Sequence, residues 1–421
     1  MKKYALTNNF FSILFFLALF TSKQAASEVY YVSPDGDNSN TGLSVSEPIR
    51  TISSALNRAY ESGDIIYVMT GTYVETAYIW QDGITLSAYP GHTPVIDGQT
   101  TLPNSDWGAL IGVGGNHNTI SGFELKNSNT TGQKLGGYGI NVDGHHNTIS
   151  KIKVHHIWEQ GIIVHGDFNT VEDSIIWQAA LQNASNSGQS SGWAAGLSAA
   201  RNYSPSALQF GITSYATFRR NTVFNNWGEG ISCYEADHCT IENNTIYDNW
   251  TANLYLSDAK NSLVRRNLIY ISSEPAIPIR NDAYIGILLA DEVSSAPRSA
   301  YNKVKNNLLY NADFSAFNWT GVDGSGLNHV LIAKNIIVDG SLSTGGPDEN
   351  VVNTLSVIKN NIITGYDNYI PDNNGLLFLK NNWSTAPALG SSLTDSLSDP
   401  QISRAGKTTP GDLTADFFTP L

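Results

Sequence analysis

Along most of the chain, apolar and polar residues alternate in short runs, and the runs recur every 20–30 residues or so, too short an interval for a helix-linked strand pair. One phrase carries the recurrence: an apolar residue, two variable residues, Asn, then another apolar pair. It reads FRRNTV from Phe218, IENNTI from Ile241, VRRNLI from Val264 and VKNNLL from Val304. It returns as IAKNII from Ile332, IKNNII from Ile358 and LKNN from Leu379. The Asn column aligned in this way is Asn221, Asn244, Asn267, Asn307, Asn335, Asn361 and Asn382, at intervals of 23, 23, 40, 28, 26 and 21. Earlier segments keep the alternation without that Asn: NTISGFEL from Asn118, NTISKIKV from Asn147 and NTVEDSII from Asn169.

These short strands are rich in Val, Ile, Thr and Tyr and are separated by Asn, Asp and Gly turns. They predict an all-β fold, a single right-handed parallel β-helix of about ten coils. The Asn column predicts an internal ladder in which stacked amides bond to one another and to the backbone at a bend. Pro48 to Tyr60 places Ile49, Ile52, Ala55, Leu56 and Ala59 near helical spacing, which predicts a short N-terminal helix capping the stack. Three stretches exceed a normal turn: 182–215, 272–300 and 313–326. Long insertions on such coils build the walls of a groove.

The ends read differently. Lys2 and Lys3 lead into an apolar run, Phe10 to Phe20, followed by Ala25, Ala26 and Ser27. This pattern predicts a signal peptide over residues 1–26, a β-helix domain over 27–390 and a cap or tail over 391–421. The run is too short to span a bilayer comfortably, and the expected location is secreted or periplasmic. The formal charge is −13, and removing Lys2, Lys3 and Lys23 with no acid takes it to −16. That charge opposes a general nucleic-acid binder, and charged residues at 14% are too few for a coiled coil. The two cysteines, Cys233 and Cys239, fit either a short-loop disulfide or two buried thiols.

A second strand in each repeat aligns as GINVD from Gly139, GIIVH from Gly161, GLSAA from Gly196, GISCY from Gly230, NLYLS from Asn253 and GILLA from Gly286. Alternation turns Ile140 and Val142, and their counterparts through Ile231 and Cys233, inward. The outward columns then hold Asn141, Ile163, Ser198, Ser232, Tyr255 and Leu288, beside His165, Tyr234 and Ser257. The following position holds Arg201, Glu235 and Asp258. The polar residues gather mid-stack, at one coil per ~4.8 Å. Arg201, Glu229, Tyr234 and His165 are the candidate catalytic groups. Trp227, Asn253, Tyr255 and Asn141 are the candidate substrate contacts. Trp227 belongs to a recurrent Trp158, Trp193, Trp227, Trp250 column that serves as packing or as a floor for sugar rings. Glu235 and Asp258, side by side on adjacent coils, are the candidate ligands for a calcium ion.

The phrase YYVSPDGDNSNTG, with PIRTISSAL and GDIIYVMTGTYVE after it, resembles the opening of secreted right-handed β-helix proteins, several of them pectate lyases and related polysaccharide lyases. The resemblance implies cleavage of a uronic-acid-containing glycan by β-elimination. That reaction needs a group that neutralises the carboxylate (Arg201 or calcium), a base (Tyr234, His165 or Lys260) and an acid (Tyr255 or Tyr234). Glu229 in NWGEGIS resembles in position the acidic pair of β-helix polygalacturonases. Glycoside hydrolysis, with Glu235 or Asp258 as second carboxyl, is therefore the alternative. A C5-epimerase and a non-catalytic carbohydrate-binding β-helix complete the alternatives. The expected partner is a polysaccharide met by a monomer, with no nucleic acid and no membrane.

Overall fold

The computed structural model describes residues 27–397, except 106–107, 130–135, 186–193, 294–295, 297, 319–320, 346–349, 366 and 372–373. The segments expected to be a signal peptide and, beyond residue 397, a tail lie outside the described residues. Among the described residues the chain winds through three parallel sheets of thirteen, twelve and eleven strands. One coil shows the plan. Thr217–Arg219 lies in the first sheet, Thr222–Phe224 in the second and Glu229–Asp237 in the third, and Thr240–Glu242 returns to the first. Each strand pairs with its counterparts in neighbouring coils, as in Phe218↔Ile241 and Val223↔Ile246. The fold is the expected right-handed parallel β-helix, but longer than ten coils. The extra coils come from the N-terminal segment, where strands such as Thr85–Ala88 carry no Asn phrase to mark them.

Inward residues of all three sheets make one continuous core. Phe218, Val223, Ile231, Ile241, Ile246 and Leu254 are all fully buried in it. Ile52–Leu56 is the expected N-terminal helix, shorter than the Pro48 to Tyr60 pattern. It buries Ile52, Ala55 and Leu56. Thr51 caps it, and the Glu75 carboxylate accepts the Ile52 and Ser53 N–H groups at 2.9 Å each. These bonds satisfy backbone donors that a helix N-terminus leaves free.

The Asn ladder stands at the corner between the first and second sheets. The backbone N–H of Asn221 donates to Asn244 Oδ1 at 2.9 Å, Asn244 to Asn267 at 3.0 Å, Asn267 to Asn307 at 3.1 Å, Asn307 to Asn335 at 3.0 Å and Asn335 to Asn361 at 2.9 Å. The last rung is Asn381, not Asn382: the Asn361 N–H donates to Asn381 Oδ1 at 3.1 Å. The frame slips by one because Phe378, rather than Leu379, is the inward residue of Leu376–Leu379. Asn381 in turn donates to Asp395 at 2.9 Å. Two further ladders fill the other corners. Asn118, Asn147 and Asn169 link at 2.8 and 2.7 Å before the first sheet, and Asn226, Asn249 and Asn253 link at 3.2 Å each before the third. The early coils thus have an amide ladder after all, at a different corner. Cys233 and Cys239 form a disulfide across the turn out of the third sheet, which decides between the two readings left open.

Each Asn of the first-corner ladder meets acceptor and donor demands that no apolar residue can meet. Asn267 accepts from Asn244 N and Nδ2 and donates from Nδ2 to Ile241 O and Asn307 Oδ1, each at 3.0 Å. Asn267→Ala should lower the unfolding free energy in urea by about 2–3 kcal/mol, because buried partners are left unsatisfied. Lys153→Ala, on an exposed strand position, should stay within about 0.5 kcal/mol. Equal effects of the two would remove the ladder's stabilising role.

Candidate active site

The third sheet fixes the site through its register. Ser198 pairs with Ser232, Ser232 with Tyr255 and Tyr255 with Leu288. Ala200 pairs with Tyr234, and Tyr234 with Ser257. Leu197, Ala199, Ile231, Cys233, Leu254 and Leu256 are fully buried in the core. The strand phase is therefore the expected one, with Tyr234 and Tyr255 on the outer face. Arg201, just after its strand, and Glu235 and Asp258, inside theirs, share one backbone conformation, with φ of 46°, 48° and 50°. This left-handed turn is unusual for non-glycine residues and swings the three side chains out of the strand alternation.

Two groups of side chains meet on this face. In the first, Arg201 pairs through Nε with Glu235 and donates from Nη2 to Tyr234 Oη at 2.8 Å. Burial lowers the Arg201 pKa, but the hydrogen bond to Glu235 and the neighbouring Glu235 charge and phenols outweigh it and the net shift is upward. Tyr234 is pushed up to about 12 by burial, with Arg201 pulling the other way. It is a phenol that keeps its proton, suited to donate rather than to act as a base. His165 lies one coil away, its Nδ1 donating to the Ala200 and Arg201 carbonyls at 2.5 and 3.1 Å. A carbonyl only accepts, so Nδ1 carries the proton and the neutral ring keeps its lone pair on Nε2.

The second group is built around Glu292, which the sequence reading did not single out. Tyr255 Oη donates to Glu292 Oε1 at 2.5 Å. Tyr255 is driven well above the ordinary phenol range by burial, then by the Glu292 and Glu229 charges. Glu229, half-buried, is pushed up to about 7 by burial, with the Glu292 charge adding and Arg280 opposing. The Glu292 charge also raises Tyr234, so the two groups form one field. Glu292 and Arg280 both come from the 272–300 insertion. Its length was the only sequence sign that it reaches the site. Arg280 is held by Trp250: its N–H donates to the Trp250 carbonyl at 2.7 Å, and its guanidinium lies 5.4 Å from the indole centroid.

The structure brings Arg201, Glu229, Tyr234, Tyr255 and His165 to one face but reassigns others. Asn253 is fully buried in the corner ladder, donating to Tyr270 O at 3.3 Å, and cannot touch a substrate. The other aligned strands open on Gly at this position; here the Asn253 amide extends the Asn226 and Asn249 ladder, accepting from Asn249 N at 3.2 Å and Nδ2 at 2.8 Å. The pair chosen for calcium is otherwise engaged. Glu235 is tied to Arg201, and Asp258 accepts the Glu292 N–H at 2.9 Å and the Ser257 hydroxyl at 2.9 Å. Asp258 thus positions the backbone of Glu292. Among the described residues no three His, Cys, Asp or Glu side chains converge. Asn141 stands two coils from Ser198, beyond Ile163, and its Nδ2 donates to Asp143 at 3.2 Å. Trp227 is half-buried beside Glu229. Trp193 lies outside the described residues, and Trp250 packs against Arg280. On the 182–215 insertion, Tyr203 and Phe210 stand 57% and 72% exposed with ring centroids 5.4 Å apart. Tyr203 is near enough to Arg201 to influence its charge.

A family model described as Pel9A-like, right handed beta helix region, matches residues 30–264. The chain belongs to this Pel9A-like β-helix family. A second model, described as periplasmic copper-binding protein (NosD), matches residues 182–395, so the chain belongs to that family as well. The matches overlap, as expected when both describe coils of one stack. Copper needs converging imidazole, thiolate or thioether donors. The described residues of 182–395 gather no such set, and both cysteines are in the disulfide, so the residues do not fit a copper site. Among solved structures, a rhamnogalacturonan lyase is similar at 15% identity and a TM-score of 0.55, over 88% of this chain and 87% of its own. The GH136 lacto-N-biosidase from Eubacterium ramulus is similar at 13% identity and 0.60, over 85% and 67%. PfbA, a surface adhesin of Streptococcus pneumoniae, is similar at 11% identity and 0.53, over 79% and 84%. These likenesses show the fold. A comparison with curated proteins finds no match.

Glu229 gives a stability test of the site's electrostatics. Its raised pKa means that folding favours the protonated form. Its contribution is complete below the ordinary carboxyl range, near 4.5, and is lost as the pH rises through about 7. Glu229→Gln should therefore gain melting temperature relative to the parent as the pH goes from 5 to 8. Glu159, also raised to about 7 by burial, is common to both proteins and cancels. A parallel pH dependence in the two proteins would place Glu229 in water.

Proposed function

We propose that the protein is an exported enzyme that cleaves glycosidic bonds of a polysaccharide by hydrolysis, with Glu229 and Glu292 as the carboxyl pair. The observation that carries this reading is the contrast between the two acids. Glu229 is held near neutrality by burial and the adjacent Glu292 charge, while Glu292 receives the Tyr255 hydroxyl. Hydrolysis needs one carboxyl that keeps a proton for the leaving oxygen and a second that is ionised for water or the sugar carbon. Glu229 is suited to the first role and Glu292 to the second. Tyr203 and Phe210 offer apolar ring faces at the rim, and Trp227 adjoins the acid. The Lys2, Lys3 and Phe10–Phe20 pattern supports export, as does the periplasmic description of one family. No helix among the described residues is long and apolar enough to cross a membrane.

β-Elimination on a uronic-acid glycan is the second reading, favoured by the His165 tautomer. Its Nε2 lone pair would take the C5 proton, Arg201 would face the carboxylate, and Tyr234 would protonate the leaving oxygen. The Glu235 ion pair weighs against it, because Arg201 must leave or share that partner to neutralise a substrate. This is why hydrolysis stands first.

Digestion of acidic and neutral glycans, followed by reducing ends and by ultraviolet absorbance of unsaturated products, separates the readings. Hydrolysis yields new ends without absorbance, and elimination yields both. Glu229→Gln should lower turnover by about 10²–10⁴-fold with little change in melting temperature at pH 5. Under this reading Tyr234→Phe should cost less than Glu229→Gln. Full activity of Glu229→Gln with a large loss in Tyr234→Phe would overturn hydrolysis in favour of elimination.

A further inference from the structure

We infer that the first sheet carries a second, non-catalytic surface that binds an anionic polysaccharide. It goes beyond the reading of the third-sheet site, because it lies on another face and does not require that site to be catalytic. In the middle coils the outward charges of the first sheet are balanced. Arg219 pairs with Glu172 at 2.6 Å, Arg220 with Asp173 at 2.7 Å and Arg265 with Glu242 at 2.6 Å. Beyond Arg265 the balance ends. The strands Leu263–Arg265, Lys303–Lys305, Leu331–Ala333, Ser356–Lys359 and Leu376–Leu379 stack with Arg265, Lys305, Ala333, Lys359 and Leu379 in register. The corner after them holds Arg266, Asn306, Lys334, Asn360 and Lys380. Arg266, Lys303, Lys305, Lys334, Lys359 and Lys380 are exposed or half-exposed, and no ion pair joins them to an acid among the described residues. These strands and corner residues include no Asp or Glu.

The result is a cationic row on a chain whose formal charge is −13. Five coils at ~4.8 Å give it a length of roughly 19 Å along the stack axis. Salt screens the net charge beyond about 8–10 Å but leaves direct contacts with the row intact. A straight, rigid row of this kind fits an extended polymer with an anionic group on successive residues. The outward neighbours are Leu263, Leu331, Val357, Leu377 and Leu379, with no aromatic ring among them. Single-stranded nucleic acid is held by rings on which bases stack; Tyr301 and His329, with ring centroids 4.7 Å apart, stand just before two of these strands, so DNA is the competing ligand in the test. Carboxylate and sulfate groups on a glycan share the chemistry the row recognises. Such a surface also answers how an acidic protein could meet an acidic polymer: the contact is local.

The test uses the chain from residue 27 carrying Glu229→Gln, so that the polymer is not consumed if Glu229 is the acid. Native gels would contain polygalacturonate, dextran sulfate, neutral dextran or single-stranded DNA. Lys334→Gln/Lys359→Gln is compared with Lys151→Gln/Lys153→Gln, which changes the net charge equally on an earlier coil. The expected result is retardation by one or both anionic glycans, weakened about five-fold by the first pair and unchanged by the second. Polygalacturonate alone would assign carboxylate recognition, and dextran sulfate alone sulfate recognition. Equal weakening by both pairs, no retardation in either anionic glycan, or equal retardation by DNA would overturn the proposal. Because binding rather than turnover is read, failure here is distinct from failure of the hydrolysis reading.

Discussion

Every coil of this protein turns three corners, and at each corner the backbone leaves strand pairing inside a closed apolar core. Water cannot reach those N–H and C=O groups, so the chain must supply their partners. Buried Asn side chains do so in the ladders: in the first-corner ladder each accepts from the backbone of the preceding coil, donates to a carbonyl of that same coil and passes its second amide hydrogen to the next Asn. The rest of the structure depends on this constraint. It sets the stacking register, because an amide can bridge only to a corner at the same height. Register in turn decides which residues of successive coils stand side by side on the outer faces.

The third sheet shows how a regular stack produces an irregular site. The strands Ala195–Ala200, Glu229–Asp237 and Leu254–Lys260 bring residues far apart in sequence within reach of one another. The stack alone gives a flat polar face. Glu292 and Arg280, from the 272–300 insertion, turn that face into a site where burial and like charge raise Glu229 to about 7. Asp258, buried and bonded to the Glu292 backbone, is the link between the regular strand and the inserted segment.

The two faces differ in chemistry. The third sheet gathers acids, phenols and a histidine, which suit proton transfer to a sugar oxygen. The first sheet's later coils gather cations without acids, which suit holding a polymer. A solenoid permits this separation, since each face is an independent column of outward positions on a shared core.

The sequence by itself determined the repeat, the strand phase and most of the first-corner ladder, because side-chain alternation and the need for a corner amide are local rules. Inward Cys233 and outward Tyr234 and Tyr255 were legible for the same reason. The sequence could not place the rung at Asn381 against its neighbour Asn382, because both fit a bend and only packing of Phe378 chooses the frame. It could not show that Asn253 belongs to a corner ladder, since an Asn beginning a strand reads alike whether it faces core or solvent. Nor could it show that Asp258 would hold a backbone rather than a cation. Glu292 and Arg280 were invisible as site residues because an insertion has no repeat to align it. Only the folded path of 272–300 carries Glu292 to Tyr255, and there the low dielectric and the neighbouring carboxyl, not the local sequence, set the protonation of Glu229.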